Sequence, residues 1–343
     1  MIVAIVVAAF LWHLSGRKQA DAPSLTAPSE KLPNIALADA DAGKITRIEL
    51  TRPDDDDNSR MLRIAIEKQG ADWAITQPLK TRASTSKVEA LIDNLKNLYL
   101  WTVIDRGDGL YDQYDLSETK ALHIVAWKGA EKATDVYCGK SIARGQLARI
   151  PGKEGILALV NWGQKGYQGF LYTRSLRSWR ETSILKFDED AAIEVEITNR
   201  NGVFQFSKSS GAWTGSFAKY RKDGKLGQPE QDWQKFDEGR IKELLRAYHA
   251  LGADDFGDES DKAGSGVDRA DQTGGIIRIR LQDQASEQTI RVGRLSDKAS
   301  RWAPKDGRWA IRDGGDGTLF VLSPWTAGWA MAGVSKFEIA DRK

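Results

Sequence analysis

Trp179-Arg-Glu-Thr-Ser-Ile-Leu-Lys186-Phe187-Asp188 returns near the C-terminus as Trp329-Ala-Met-Ala-Gly-Val-Ser-Lys336-Phe337-Glu338. The spacing from Trp to Lys-Phe-acid is the same in both, without a gap. One copy lies mid-chain and the other at the end, where the ends of two tandem units fall. This reading makes the chain a duplication, and the rest of the sequence can be tested against it at an offset of about 150 residues.

Working outward, Ile45-Thr-Arg-Ile-Glu-Leu50 and Ile193-Glu-Val-Glu-Ile197 alternate apolar and polar residues, the period of a half-buried strand. A second strand follows each and leads to a Trp: Leu62 to Lys68 and on to Trp73, Val203 to Lys208 and on to Trp213. Helical periodicity comes next. Val88, Leu91, Ile92, Leu95 and Leu98 match Ile241, Leu244, Leu245, Tyr248 and Leu251, with Ser84, Thr85 or Ser86 as N-cap in the first and Gly252 as exit in the second. Both helices run into acidic stretches expected to be irregular, Asp105 to Glu118 and Asp254 to Gly275.

Strands then resume in parallel order. Ala121 to Trp127 is set against Ile276 to Leu281, Asp135 to Gly139 against Thr289 to Gly293, Gly155 to Val160 against Arg308 to Arg312, and Gly169 to Tyr172 against Leu319 to Leu322. Alternating strands with one amphipathic helix per unit predict an α+β fold: two tandem similar units, each a mainly antiparallel sheet covered by one helix. Arg174 to Lys186 and Thr326 to Lys336 suit a short second helix leading out of each unit. The division is residues 44–190 for the first repeat and 191–343 for the second.

Ahead of the repeats, Met1 to Leu14 is apolar apart from His13 and is followed by Arg17 and Lys18. A full helical span takes about 20 apolar residues, so the segment is short, yet a Pro/Ala/Ser/Asp stretch follows it rather than a domain. Residues 1–16 are therefore expected to be a membrane anchor and 17–43 a flexible tether. Charge does not settle the orientation, because the basic pair lies on the body side.

Composition narrows the chemistry. Fifty basic and 48 acidic residues leave a net charge of +2, which gives no global case for nucleic acid. The single cysteine, Cys138, forms no internal disulfide and reads as a buried small hydrophobe. The three histidines, His13, His123 and His249, show no zinc-ligand spacing, and no Gly-x-Ser-x-Gly elbow or nucleotide-binding glycine motif occurs. No metal, cofactor or bound nucleotide is expected. Asp54 to Asp57 reads as a solvated hairpin tip, Asp313-Gly-Gly-Asp-Gly317 as a tight turn, and the basic loop Lys219 to Lys225 as a solvated loop. Of the twelve Trp, Trp73/Trp213 and Trp179/Trp329 recur and read as core. Trp101, Trp162, Trp233, Trp302 and Trp325 have no counterpart and are the candidate ligand or partner contacts, since exposed Trp makes large rigid contacts.

The pattern resembles the uncharacterised bacterial family called domain of unknown function 4340. The resemblance rests on the N-terminal anchor, the strand into Trp73-Ala-Ile-Thr-Gln-Pro78, the Val88 to Leu98 helix and the Tyr114-Asp115-Leu116 turn. It rests also on the Val-Gly strand ends (Val136-Tyr-Cys-Gly139, Ile290-Arg-Val-Gly293) and the Arg-Ser-Trp-Arg to Lys-Phe-Asp segment. The chain departs from it in lacking a Pro soon after Trp213 and in the polar insertion Lys219 to Phe236. The resemblance implies a membrane-tethered envelope protein associated with gliding-motility-type ABC transporter components, and it carries no catalytic residues. The expectation is a non-enzymatic accessory or scaffold subunit on the bacterial inner membrane, its body periplasmic, binding an ABC-type permease or other envelope protein. The alternative is a glycan- or lipid-binding module using the unpaired Trp in a cleft between the repeats.

Overall fold

The structure, a computed structural model, describes residues 32–339 apart from 55–56, 58, 163–164, 283–286 and 299–302. The first ten strands are β1 (Arg47–Pro53), β2 (Met61–Gln69), β3 (Asp72–Gln77), β4 (Thr81–Arg82), β5 (Leu100–Asp105), β6 (Leu122–Lys128), β7 (Glu131–Ile142), β8 (Gly145–Arg149), β9 (Ile156–Trp162) and β10 (Lys165–Gly166). They form one sheet in the order β10-β9-β8-β7-β6-β1-β2-β3-β4, with β5 pairing β9 off this path. Eight more follow: β11 (Ala192–Asn199), β12 (Gly202–Ser209), β13 (Ala212–Ala218), β14 (Asp255–Phe256), β15 (Gly275–Leu281), β16 (Gln288–Leu295), β17 (Arg308–Arg312) and β18 (Phe320–Leu322). Their order is β13-β12-β11-β15-β16-β17-β18-β14. Pairings such as β1 with β6 and β11 with β15 run antiparallel.

The two orders are the same route written twice. Each meander runs third, second, first, then jumps past the helix to the fourth and onward; the strand after the helix pairs with the seventh strand of the meander, β5 with β9 and β14 with β18, and the first sheet carries the two-residue strands β4 and β10 at its edges. Trp73 and Trp213 lie on the third strand of each repeat, opposite Lys68 and Lys208 across matching tight hairpins. The Val-Gly strand ends also match. A Cβ on Gly139 would stand 2.3 Å from the Tyr114 carbonyl oxygen, and one on Gly293 would stand 2.2 Å from the Ser265 carbonyl oxygen. In each repeat the loop after the helix is thus pressed onto the fifth long strand of the meander, at a point where only glycine fits. The loop turns there through a positive φ, at Asp115 in the first and Gly266 in the second.

The opening decapeptide, however, aligns in a different register. Trp179 carbonyl accepts from Ser84 N–H at 2.8 Å, just ahead of the Thr85–Leu95 helix. In the second repeat the carbonyl in that place belongs to Phe337, which accepts from Asp237 N–H at 2.9 Å, ahead of the Glu238–Tyr248 helix. The flanking bridges agree, Ala83 with Arg180 and Phe236 with Glu338. Trp179 is therefore the counterpart of Phe337, not of Trp329. The duplication stands on strand order and on these backbone contacts; the equal spacing of the two decapeptides does not carry it.

Other expectations shift for the same reason. Topology pairs β8 with β17 and β9 with β18, so Gly155 to Val160 belongs opposite β18 rather than opposite Arg308 to Arg312. Gly169–Tyr172 is a helical turn, not a strand. The Tyr172 hydroxyl donates to Oδ1 of buried Asn94 at 2.9 Å, which holds that turn against its own helix. The second acidic stretch is not irregular but carries the short helices Lys262–Ser265 and Ala270–Thr273. The second helix out of each repeat is present in part, as Leu176–Trp179 and Pro324–Ala330. The tether is ordered toward its end: Leu37 is buried, its N–H donates to Leu95 carbonyl, and Asp39–Ala42 is helical. The anchor expected over residues 1–16 lies outside the described residues, and no described helix is long and apolar enough to cross a membrane.

The chain divides into two compact units. One joins Ala90–Thr173 to the described residues up to Arg63; the other joins Ile64–Glu89 to the chain from Arg174 on. In the second unit, Ile241, Leu244, Leu245 and Tyr248 present one helical face to Val195, Ile197, Phe204 and Phe206 of the sheet, all buried. Each large apolar side chain so covered contributes about 1.5–3 kcal/mol. Phe337 sits at the centre of an aromatic cluster, 4.8 Å from the Phe206 ring and 5.6 Å from that of Phe204. Asn199, fully buried at the end of β11, donates to the carbonyls of Ala330 and Ala332.

Two stability predictions follow from this packing. Gly139→Ala and Gly293→Ala each place a methyl group against a carbonyl oxygen, and equilibrium urea unfolding is expected to show a loss of about 3 kcal/mol for either. Asn199→Ala removes the donor to the Ala330 carbonyl and leaves that of Ala332 to Asn201 Nδ2 alone, and is expected to lose about 2 kcal/mol in the same assay.

Candidate functional site

The five candidate Trp residues do not make one site. Trp233 is corrected outright: it is 9% exposed and packs against Phe206, Phe217, Phe236 and Phe337. Its Nε1 donates to Glu338 Oε1 at 3.1 Å, so it pins the Lys219 to Phe236 insertion to the core. Trp101, on β5, is half-buried beside a shallow hollow lined by Pro33, Ile35, Leu98 and Tyr99. Trp162 ends β9, with its side chain outside the described ones, and Trp302 lies outside the described residues altogether. Trp325 is 61% exposed on the first turn of the Pro324–Ala330 helix. Trp101 and Trp325 belong to different compact units.

The nucleophile and base candidates fall on opposite faces of one sheet. On β6 and β7, Leu122 pairs with Cys138 and His123 with Tyr137. Side chains alternate along a strand, so Cys138 points into the core while His123 and Tyr137 stack on the other face at 3.8 Å. His123 Nε2 and Asp135 Oδ1 are 2.7 Å apart, and Lys132 Nζ donates to Asp135 Oδ2 at 2.6 Å. The Arg149 guanidinium covers the far face of this ladder, 3.6 Å from the Tyr137 ring centre. Cys138 is enclosed, and burial pushes its thiol up to about 12, with neighbouring Tyr167 opposing only in part. A thiol in that state is not an activated nucleophile.

The described residues of the acidic runs lie in turns. Asp57 accepts from Ser59 at the β1–β2 tip, and Asp313 pairs with Arg291 Nε at 2.8 Å. No group of three potential metal ligands occurs among the described residues. The basic insertion makes a small exposed hairpin closed by the Tyr220–Leu226 bridge.

What the sequence reading missed is a groove in the second unit. It runs beside the extended segment Arg180 to Lys186, which bridges to Ala83 on one side and to Gly252 on the other. A narrow hollow of about 70 Å³ is walled by Ile184, Phe256 and Phe320 and rimmed by Arg82, Glu181 and Asp316. It adjoins a wider hollow of about 470 Å³ that adds Lys186 and Gln288. Arg312, common to both, is spent on structure, donating to Ile184 carbonyl and Gln288 Oε1. Arg180 is 7% exposed and lies over the Phe256 ring at 3.9 Å. Its Nε has no hydrogen-bond partner among the described residues. Burial lowers its guanidinium to about 10, against the pull of Asp316, Asp255 and Asp258. Burial also lowers Arg174 and Lys87, the latter further depressed by the charge of Arg174. The only sequence signal for it was the Arg180-Glu-Thr-Ser183 part of the linking segment, and nothing local marked Arg180 as buried.

The state of Cys138 gives a prediction in two parts. The native protein is expected to resist alkylation by iodoacetamide at pH 8 and to react only on unfolding, read by mass spectrometry. Its folded pKa lies above the ordinary 9.0. The stability gained from keeping it protonated is therefore complete below about pH 9 and is lost as pH rises toward 12. Tyr172 and Tyr248 are also raised by burial, so unfolding midpoints should fall on the alkaline side.

No curated protein matches this chain. The family model described as Domain of unknown function (DUF4340) matches residues 73–270, from Trp73 through the helix, the linking segment and most of the second meander before β15. That is more than half of the sequence, and the chain belongs to the DUF4340 family.

Proposed function

We propose that this protein is a non-enzymatic, membrane-anchored envelope protein acting as an accessory or scaffold subunit of an ABC-type transporter or a related envelope complex. Residues 1–16 would hold it at the bacterial inner membrane with the body in the periplasm. The observation that supports a binding role over a catalytic one is the separation of the reactive groups. Cys138 faces the core while His123 faces away, tied to Asp135 and Lys132.

The mechanism is effective concentration. A random-coil tether of about twenty residues would set the folded body at a root-mean-square distance on the order of 20–25 Å from the membrane surface. A membrane partner then meets the body at high local concentration without any gain in intrinsic affinity. A second reading, glycan or lipid binding, is favoured by Trp325, which is 61% exposed on a helix turn.

The test is affinity capture of the tagged full-length protein from detergent-solubilised membranes, compared with a variant lacking residues 1–16. Mass spectrometry is expected to identify a permease subunit with the full-length protein and to find it depleted with the variant. Release of the full-length protein as a soluble monomer from intact membranes would sink the reading. Trp325→Ala separates the alternatives: it should abolish retention on immobilised glycan or on lipid vesicles under the second reading and leave permease capture unchanged under the first.

A further inference from the structure

The two repeats treat the chain that leaves the main helix in opposite ways. In the second repeat it is covered. Ile184 N–H donates to Leu251 carbonyl and Ala253 N–H to Thr182 carbonyl, both at 2.8 Å, and Ser183 bridges Gly252 between them. In the first repeat Leu98 stands for Leu251, so Tyr99 stands for Gly252. There the incoming tether bonds to the helix end, Leu37 N–H to Leu95 carbonyl at 3.0 Å. Ahead of that bond, no bridge joins residues 32–36 to β5 among the described residues. A hollow of about 330 Å³ is lined instead by Pro33 and Ile35 on the tether side and by Leu98, Tyr99 and Trp101 on the strand side.

This open end is aromatic. Tyr99 is 54% exposed and Phe170 65%. Backbone and side-chain bonds bring both to the same helix end. Val160 N–H donates to Tyr99 carbonyl and Tyr167 N–H to Val160 carbonyl. Asn94, in the last turn of the helix, holds Gly166 carbonyl and Gln168 N–H just ahead of Phe170. Lys96 at this end is paired, 2.8 Å from Asp93 and 3.6 Å from Asp39. The patch therefore attracts by apolar surface and not by charge.

A few exposed rings are too little for a free-standing protein complex, which buries about 800 Å² per partner. They are enough for a surface that the chain itself holds nearby, because tethering raises the effective concentration and populates a weak contact. The tether enters here, at Leu32, from the apolar segment Met1 to Leu14. Tyr and Trp join an apolar ring to a polar tip and settle at the level of lipid headgroups. With no spare cation at the patch, a neutral headgroup layer suits it better than an anionic one.

We propose that this helix end is the face on which the body rests against the bilayer, with Tyr99 and Phe170 set among zwitterionic lipid headgroups and the hollow beside Trp101 turned toward them. This rests on the membrane-anchored reading above and adds the surface that meets the membrane. Full-length protein is reconstituted into phosphatidylcholine vesicles carrying a spin-labelled phosphatidylcholine. Cys138→Val serves as background, since Val292 stands in that place in the second repeat. An environment-sensitive fluorophore is attached at Asn97→Cys, exposed between the helix and Tyr99, or at Lys153→Cys. Lys153 is exposed ahead of Ile156, and Ile156 and Val160 lie at opposite ends of the β5–β9 pairing, Val160 at the Tyr99 end.

The Asn97 label is expected to shift to the blue and to lose emission to the spin-labelled lipid, while the Lys153 label stays as in water. Tyr99→Ser with Phe170→Ser, both at exposed positions, should abolish the shift and the quenching with the protein still floating with the vesicles. Raising the salt should change neither signal, because no screened charge pair carries the contact. A protein that floats while its Asn97 label behaves like the Lys153 label overturns this proposal alone. A protein that does not float overturns the anchored reading and this one with it. The proposal also fails if the double variant leaves the quenching unchanged, or if salt removes it, which would mark a charged contact elsewhere on the body.

Discussion

Each repeat is closed by one backbone hydrogen bond. The carbonyl of Trp179, and in the second repeat that of Phe337, accepts the N–H of the residue ahead of the repeat's main helix. A helix start has N–H groups with no partner inside the helix, and here the end of the same repeat supplies one. The aromatic ring on the closing residue is meanwhile fully buried, Trp179 at 0% and Phe337 at 0% exposed. Polar closure and apolar burial thus act on one residue. A repeat whose last segment did not return to its helix would leave both the helix start and the sheet's inner face open to water.

This constraint also creates the groove. After Trp179 the chain cannot stop; it continues as Arg180 to Lys186 in extended form toward the second meander. Its backbone is satisfied by Arg82, Leu251 and Thr182–Ala253 contacts. Glu338 stands where Arg180 stands, but there the side chain accepts from Trp233 Nε1. The same structural position therefore holds a hydrogen-bonded carboxylate in one repeat and, in the other, a guanidinium laid over the Phe256 ring.

The period of the strands and helices was legible in residue order, because burial on one face writes itself as alternation or as the i, i+3, i+4 pattern. Trp73 and Trp213 could be paired for the same reason. The decapeptide pairing misled because local spacing does not report register. An extra short strand, β10, and a helical turn at Gly169–Tyr172 lie between β9 and Trp179, whereas β18 leads almost directly into the Pro324–Ala330 helix. The two repeats therefore lose step and regain it only through hydrogen bonds. Trp233 misled for a similar reason: it has no sequence counterpart, and a residue in an insertion looks exposed until the insertion is seen folding back onto Phe206 and Phe217.

The sequence by itself determined that this is a duplicated, mainly antiparallel fold with one amphipathic helix per copy, and that Cys138 belongs to a core. Those follow from the chemistry of single side chains repeated at fixed periods. Only the tertiary structure decided that Trp179 answers to Phe337, that Cys138 and His123 face apart, and that Arg180 is buried over the Phe256 ring. Each of these depends on which distant strand lies alongside, and non-local pairing is set by the closure of the whole sheet, not by any window of residues.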